Sequence, residues 1–269
     1  MKKIPRVITV AGSDSSGGAG LQADLKTFQE LGVYGMTAIT TIVAMDPDQN
    51  WNHLVYPVAL STLKEQMKTI LAGVGVDALK TGMLGSVEVI EYVAKQIDNY
   101  QIKTVVIDPV MVCKGFDEVL HPETAIAIRE QLVPRATIVT PNLFEAAQLS
   151  GLNSIQSLEE MKVAAQKIFE QGAKFVLIKG GTKLPTKKAM DLFYDGTEYH
   201  IFESEKIETT YIHGAGCTFA AAITAELAKG KQIKEAVQTA KDFVTTAIQH
   251  GFPLNSFVGP TWQMANRQV

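Results

Sequence analysis

The hydrophobic pattern along the chain alternates between short, wholly apolar runs and longer stretches with helical periodicity. Runs rich in β-branched residues cover residues 7–11, 37–44, 104–107, 137–140 and 175–178. Strands that are buried on both faces of a parallel sheet have this continuous pattern, without polar alternation. The sequence therefore predicts an α/β fold with a mostly parallel central sheet.

Helical periodicity fills several of the intervals between these runs. Residues 60–71, 87–97, 158–170 and 233–249 place apolar side chains three and four positions apart. This spacing gives each helix one apolar face, and alternation of strand and helix is typical of right-handed crossovers. We expect the helices to flank the sheet.

One late segment departs from the alternation. Residues 189–207 have the pattern of an antiparallel hairpin, with Asp195 and Gly196 at its turn. The chain contains no proline-rich or glycine/serine-rich linker, no charge run and no internal repeat. We therefore predict a single domain over residues 1–269.

Composition narrows the class of partner. The chain has 269 residues, 46% of them hydrophobic, with a net charge of -3 and a pI near 6.0. Its lysines and arginines are scattered, so no basic field is expected for gripping nucleic acid. The apolar run near the N-terminus is too short for a signal sequence or a membrane span. We expect a cytoplasmic protein that binds neither nucleic acid nor a membrane.

The segment His-Gly-Ala-Gly-Cys-Thr at residues 213–218 is the richest in chemistry. Gly214 and Gly216 allow a tight turn whose N–H groups face one hollow, and the small apolar residues 219–228 predict a buried helix behind it. The positive end of the helix dipole favours an anion, and polyphosphate suits such a turn best. The same dipole is expected to lower the pKa of the Cys217 thiol, which makes Cys217 a candidate base or nucleophile.

A second glycine-rich loop, residues 12–20, follows the first apolar run. Residues 18–23 fit a dinucleotide fingerprint, with Asp46 as a ribose partner, and this alternative indicates an NAD enzyme. The fingerprint begins too far after the strand for a Rossmann turn, so we favour a loop that folds around a small polar substrate. Gly12 and Asp24 are the substrate-binding candidates. A purely structural role of the glycines in helix–sheet packing is the other alternative.

Four polar residues follow the ends of predicted strands: Asp108, Asn142, Glu145 and Lys179. Ligands collect at the carboxyl ends of parallel strands, so these side chains are expected to converge. Asp108 and Glu145 suit a magnesium ion held partly through water, and Lys179 suits a phosphate. An ordinary helix cap formed by Asn142 and Glu145, and a solvated lysine, are the alternatives.

Three motifs in this order resemble the ribokinase superfamily of ATP-dependent kinases. They are GSD followed by SGGAGLQADLKTF at residues 16–28, NLFE at residues 142–145, and HGAGCT at residues 213–218. The similarity covers nearly the whole chain and is specifically to the branch of hydroxymethylpyrimidine (phosphate) kinases and bacterial pyridoxal kinases. It implies a ribokinase-like domain, ATP and Mg²⁺, phosphorylation of a hydroxymethyl group on a heteroaromatic ring, and a homodimer.

The resemblance also implies roles for individual residues. The motif at residues 142–145 organises magnesium and phosphate, and Lys179 contacts the ATP phosphates. Gly214, Ala215 and Gly216 form an anion hole for the transferred group.

Cys217 stands where the superfamily usually carries an aspartate as catalytic base, and a cysteine is usual in this branch. A thiol serves as a base near neutrality only when its pKa is lowered. His213 is the natural partner for this, and a loop histidine that contacts nucleotide or solvent is the alternative.

Met45 bears on which ring is the substrate. Similar pyrimidine kinases end their second strand with Val-Ala-Gln, whose glutamine reads the ring, whereas this chain has Val-Ala-Met. A thioether cannot form that pair of hydrogen bonds, so Met45 favours a ring other than an aminopyrimidine. A role as core filler is the alternative.

Cys113 lies in a glycine-containing segment after Asp108, where relatives carry a small lid loop over the active site. The chain has two cysteines and no secretory pattern, so both thiols are expected to be free. A thiol adds reversibly to the aldehyde of pyridoxal, and hydroxymethylpyrimidine has no aldehyde. We predict that Cys113 captures pyridoxal while Cys217 takes the proton of its 5′-hydroxymethyl group; an unreactive, packed Cys113 is the alternative.

The sequence thus predicts ATP-dependent phosphorylation of pyridoxal, and also of pyridoxine and pyridoxamine. Hydroxymethylpyrimidine (phosphate) kinase is the alternative activity.

Overall fold

A computed structural model describes residues 3–111 and 122–267. Within these ranges nine strands form one sheet. The strands are β1 (Arg6–Asp14), β2 (Tyr34–Asp46), β3 (Asn52–Pro57), β4 (Ala78–Thr81), β5 (Val105–Ile107), β6 (Ile138–Val139), β7 (Phe175–Gly181), β8 (Ala189–Tyr194) and β9 (Tyr199–Ser204). Their order across the sheet is β3-β2-β1-β4-β5-β6-β7-β8-β9.

The six strands from β2 to β7 in this order are parallel, which confirms the predicted sheet. Their apolar runs are continuous because both faces are covered. In β1, Ile8 and Val10 enter the core on one face and Val7 enters the core on the other. Strands β3, β8 and β9 are antiparallel to their neighbours.

Helices cover both faces of the sheet, as predicted. They are α1 (Gly20–Glu30), α2 (Leu60–Lys68), α3 (Val87–Asn99), α4 (Pro122–Ala127), α5 (Leu143–Ser150), α6 (Leu158–Glu170), α7 (Ala215–Ala228) and α8 (Ile233–Gln249). Helices α2 to α6 pack on one face, and α1, α7 and α8 pack on the other. Helix α7 is apolar on all sides because it lies between the sheet and its two companion helices.

The predicted late hairpin is confirmed as β8 and β9. Gly196 in the turn has a φ of 94°, and the carboxylate of Asp195 accepts the backbone N–H groups of Thr197 and Glu198. Glycine and aspartate are thus required by the turn itself.

The hydrophobic pattern did not predict two of the strands. Strand β3 lies at the edge of the sheet with most of its side chains exposed. Strand β4 has only four residues, and Lys80 interrupts its apolar run, although all four are buried. The predicted lid loop with Cys113 lies outside the described residues. Over the part of the chain that the structure covers, no helix has the length and apolar character that a membrane crossing requires.

Candidate active site

A cavity of about 210 Å³ opens where the strand order reverses, between β1 and its two parallel neighbours. The chain places β2 on one side of β1 and then crosses to place β4 on the other, which leaves a crevice at the carboxyl ends of the strands. Its described lining residues are Ala11, Gly12, Asp14, Ala19, Gly20, Val43, Met45, His53, Lys80, Gly82, Met83, Val110, His213 and Cys217. Of the predicted residues, Gly12, Met45, His213 and Cys217 therefore meet at one cavity.

The turn before α7 is built on close contact between the two glycine-rich loops. Gly214 has a φ of 81°, in the left-handed region, and precedes the first residue of α7. A Cβ atom at Gly214 would overlap the carbonyl oxygen of Gly18. Lys179 lies over the same turn, because a Cβ at Gly216 would be 3.4 Å from its ammonium nitrogen. The N–H of Ala215, which the resemblance assigns to the anion hole, instead donates to the carbonyl oxygen of Ile212 at 3.0 Å. The N–H groups of the following residues at the start of α7 and the ammonium of Lys179 face one space, which suits an anion.

Cys217 lies in the first turn of α7 and is half-buried on the cavity wall. Burial raises the pKa of its thiol to about 11, and the carboxylates of Asp24 and Asp108 act in the same direction. The charge of Lys80 opposes this shift, as does the backbone N–H of Gly20, which donates to the sulfur. The expectation of a lowered pKa is wrong for the protein without ligands, because desolvation by burial is the largest influence on the thiol and the two carboxylates reinforce it.

His213 is not the partner of Cys217. Its Nε2 donates to Asp14 Oδ2 at 2.7 Å, and both side chains are nearly buried. The same carboxylate accepts the backbone N–H groups of Ser16 and Ala19 at 2.8 Å. Burial alone would raise the pKa of Asp14, but its bonds to His213 and Ser16 and the His213 charge lower it. His213 therefore joins the first glycine loop to the turn before α7.

The predicted polar residues at the ends of β5, β6 and β7 converge as expected. Lys179 Nζ lies 2.7 Å from Asp108 Oδ1, and both side chains are largely buried. Asn142 and Glu145 form a full capping box at the start of α5, with hydrogen bonds of 2.8 and 2.9 Å. Asn142 and Glu145 thus form the helix cap that the alternative predicted. The cap uses only one carboxylate oxygen of Glu145, Oε2.

Glu145 is a buried carboxylate beside these charges. Burial raises its pKa to about 7, Lys179 opposes the shift and Asp108 reinforces it. A carboxylate in this state favours a nearby cation, because a positive charge would stabilise its ionised form.

Asp24 occupies a different place from the one expected for a substrate ligand. Its side chain has no exposed surface and lies beneath the cavity, where Oδ2 accepts hydrogen bonds from Thr9 Oγ1 at 2.6 Å and Lys80 Nζ at 2.9 Å. A direct hydrogen bond from Asp24 to a substrate is therefore not supported.

Lys80 is the principal residue that the sequence pattern did not reveal, together with His53 and Met83 on the cavity wall. One signal was present: a lysine inside an apolar run before a glycine, in Ala-Leu-Lys-Thr-Gly. A lysine in such a run is buried only with a charged partner, and Asp24 supplies that partner.

Comparison with known proteins identifies the class. Residues 14–262 match the family described as phosphomethylpyrimidine kinase, and the chain belongs to this family. The alternative of an NAD enzyme is therefore wrong. Within the family, the chain is 60% identical over 262 residues to the pyridoxine kinase of Bacillus subtilis, with 97% of each chain covered. It is 43% identical to the hydroxymethylpyrimidine/phosphomethylpyrimidine kinase of the same organism, over 96% of this chain and 94% of that one.

Solved structures agree with this grouping. An ADP complex of Bacillus subtilis pyridoxal kinase superposes with a TM-score of 0.97 at 58% identity, covering 99% of this chain and 100% of the other. The pyridoxal kinase of Staphylococcus aureus in complex with AMP-PCP and pyridoxal superposes with a TM-score of 0.94 at 48% identity, covering 99% and 96%. The fold predicted from the sequence is thereby confirmed.

Proposed function

We propose that this chain transfers the γ-phosphoryl group of ATP to the 5′-hydroxymethyl group of pyridoxal, and also of pyridoxine and pyridoxamine. One observation carries the proposal. The Cys217 thiol lies on the wall of the cavity and in the first turn of α7, directly beside the anion-binding turn. An alcohol bound in this cavity would lie between a proton acceptor and a phosphate site. Relatives with 60% and 58% identity that are pyridoxine and pyridoxal kinases support the choice of substrate.

In this reaction Cys217 acts as the base in its thiolate form. The proton passes from the hydroxymethyl oxygen to Sγ, the oxygen forms a bond to the γ-phosphorus, and the bond from that phosphorus to the ADP oxygen breaks. Phosphoryl transfer requires mainly positioning and neutralisation of charge. The N–H groups of Gly214 and Gly216 and the ammonium of Lys179 provide that neutralisation. The N–H of Ala215 is already donated to the carbonyl oxygen of Ile212.

Magnesium fits the acidic residues near Lys179. Glu145 is buried, has a raised pKa and leaves Oε1 outside the capping box, so a hard cation would favour its ionised form. We propose that Glu145 and Asp108 hold Mg²⁺, partly through water, and that Asn142 supports this arrangement through the cap. The ion would neutralise charge on the phosphates.

The apolar residues on the cavity wall support pyridoxal as the substrate ring. Val43 and Met45 present apolar surface from β2, where pyrimidine kinases of this branch carry a glutamine. Cys113, which lies outside the described residues, remains the proposed residue that captures the aldehyde. Phosphorylation of hydroxymethylpyrimidine is the second candidate, favoured by the relative with 43% identity that has that activity.

A substrate panel tests the proposed function. Purified protein is incubated with ATP, Mg²⁺ and either pyridoxal, pyridoxine, pyridoxamine or hydroxymethylpyrimidine, and transferred phosphate is measured directly. We expect kcat/KM to be higher for pyridoxal than for hydroxymethylpyrimidine. A higher value for hydroxymethylpyrimidine would establish the second candidate, and an absence of phosphate transfer to all four would refute both.

We further propose that the enzyme works as a homodimer in the cytoplasm. A reducing compartment keeps both proposed thiols free, which supports the location. An exposed apolar patch on the β2–β3 edge supports the dimer. This patch consists of Ile42, Leu54 and Tyr56, which share one face because Ile42 pairs with Tyr56 and Ala44 pairs with Leu54.

A further inference from the structure

Lys80 is a buried cation that the proposed chemistry has not used. It lies in the middle of β4 with no exposed side-chain surface. Its Nζ is 2.9 Å from Asp24 Oδ2 and 3.9 Å from Asp108 Oδ2. A buried ion pair is costly to desolvate, and an apolar residue would fill a strand interior at lower cost. Retention of the charge at this position therefore calls for a reason beyond stability.

The ammonium group of Lys80 has N–H donors that its described hydrogen bonds do not use. Asp24 Oδ2 also accepts from Thr9, while Asp24 Oδ1 is buried without a hydrogen bond among the described residues. An ammonium group has three N–H donors, and the described hydrogen bonds of Lys80 Nζ use one of them, toward Asp24. Lys80 also lines the cavity together with Cys217. The positive charge is thus paired with a buried carboxylate and lies on the wall of the same cavity as the thiol.

We infer that Lys80 is a positioning residue whose buried ammonium stabilises the thiolate form of Cys217, with Asp24 holding that ammonium in place. The inference rests on the proposed function, because it assigns the thiolate as the proton acceptor. Lys80 keeps its own proton throughout: the substrate proton goes to Sγ of Cys217, and no group is transferred to or from the lysine.

The charges around Cys217 act in both directions. Burial and the carboxylates of Asp24 and Asp108 raise the pKa of the thiol, and Lys80 is the strongest influence that lowers it. Lys179 also interacts favourably with the thiolate. Burial by itself would lower the pKa of Lys80, but Asp24, Cys217 and Asp108 outweigh it and raise that pKa, so the ammonium stays charged.

Other polar groups on neighbouring elements contact the thiol or line its cavity. Gly20 donates its N–H to the sulfur from the start of α1. Asp14 and His213 line the same cavity but are hydrogen-bonded to each other. His53 lines the cavity from β3.

The test titrates the thiol in the protein without substrates. A Cys113→Ala background leaves Cys217 as the one cysteine of the chain, since the sequence contains two. The pH dependence of alkylation by iodoacetamide, together with the ultraviolet absorbance of the thiolate, gives its pKa. We expect Lys80→Met to raise this pKa and to slow alkylation at neutral pH about tenfold or more, since one pKa unit changes the thiolate fraction tenfold.

Lys241→Met is the matched control. Lys241 forms another buried ion pair, 2.7 Å from Asp191 Oδ2, and neither residue lines the cavity that holds Cys217. Its loss should destabilise the fold without changing the pKa of the thiol. Thermal denaturation shows which variants are folded.

A raised pKa in Lys80→Met, with the pKa unchanged in Lys241→Met, supports the inference. An unchanged or lowered pKa in Lys80→Met overturns it. If Lys80→Met does not fold, Lys80→Gln, which keeps a hydrogen-bond donor beside Asp24 but carries no charge, is titrated in its place: a raised pKa supports the inference and an unchanged or lowered one overturns it. The titration needs no kinase activity, so failure of the substrate panel would refute the proposed function without altering this result.

Discussion

The pKa of the Cys217 thiol is shifted in the opposite direction from the one that its position at the start of a helix predicts. A thiol in the first turn of a helix is expected to ionise readily, because the helix dipole favours the anion. Here burial and two carboxylates raise the pKa of the thiol to about 11. The thiolate therefore depends on nearby positive charge, and Lys80 is the strongest such charge on the described residues.

The base function of Cys217 can be tested by substitution. Cys217→Ala should reduce kcat about 10²-fold or more, as expected for a lost general base, while ATP binding is largely kept. Cys217→Ser is the matched control of similar size, and its hydroxyl ionises too weakly to restore the rate. Steady-state kinetics and calorimetric titration with ATP measure the two effects. An unchanged kcat in Cys217→Ala would refute the assignment.

Cys113 can be tested through the chemistry of the aldehyde. Cys113→Ala should weaken turnover of pyridoxal more than turnover of pyridoxine, because only pyridoxal carries an aldehyde for the thiol to add to. The ratio of kcat/KM for the two substrates, compared with that of the wild type, is the measurement. Equal losses with both substrates would mean that Cys113 contributes packing alone.

At the scale of elements, the site depends on the contact between the loop before α1 and the turn before α7. The carbonyl of Gly18 packs against the α-carbon of Gly214, and the Asp14–His213 hydrogen bond joins the same two segments. Their approach places Gly20 against the thiol of Cys217. The cavity and the anion-binding turn are therefore one structural unit, although the two segments that form the contact lie far apart in the sequence.

Gly214→Ala should disrupt this unit. Both Gly214 and Gly230 have a positive φ, at 81° and 88°, but only at Gly214 would a Cβ meet a neighbouring backbone. Gly230→Ala is thus the matched control, with a cost of about 1–2 kcal/mol for the left-handed conformation alone. We expect Gly214→Ala to cost more in urea denaturation and to weaken ATP binding, while Gly230→Ala keeps ATP affinity. Equal stability and ATP affinity in the two variants would contradict the proposed packing.

At the scale of the whole molecule, the two faces of the β2–β3 edge have different roles. Val43, Met45 and His53 line the cavity, whereas Ile42, Leu54 and Tyr56 alternate with them. Tyr56 is 54% exposed and Ile42 is 44% exposed, although both are large and apolar. An exposed cluster of this kind is typical of an interaction surface.

The proposed homodimer can be tested on this face. Tyr56→Asp should convert the dimer to monomers, because it places a charge in an apolar contact. Val163→Asp, at an exposed apolar position on α6, is the control and should leave the dimer intact. Size-exclusion chromatography with light scattering gives the molar mass. A wild-type monomer, or a Tyr56→Asp dimer, would refute the proposal for this surface.

The hydrophobic pattern alone determined the fold class, the flanking helices and the late hairpin, because burial of a strand or helix face leaves a local period in the sequence. Local chemistry also identified the turn at residues 213–218 and the polar residues at the ends of β5, β6 and β7. These features depend on neighbours that are close in the chain.

Only the tertiary structure decided the partners of the buried charges. Asp24 and Lys80 are 56 positions apart, and Asp14 and His213 are 199 positions apart. Neither pair leaves a periodic signal, since each forms only when the sheet brings distant segments together. The same is true of the pKa of Cys217, because desolvation depends on everything packed around the thiol and not on its own helix.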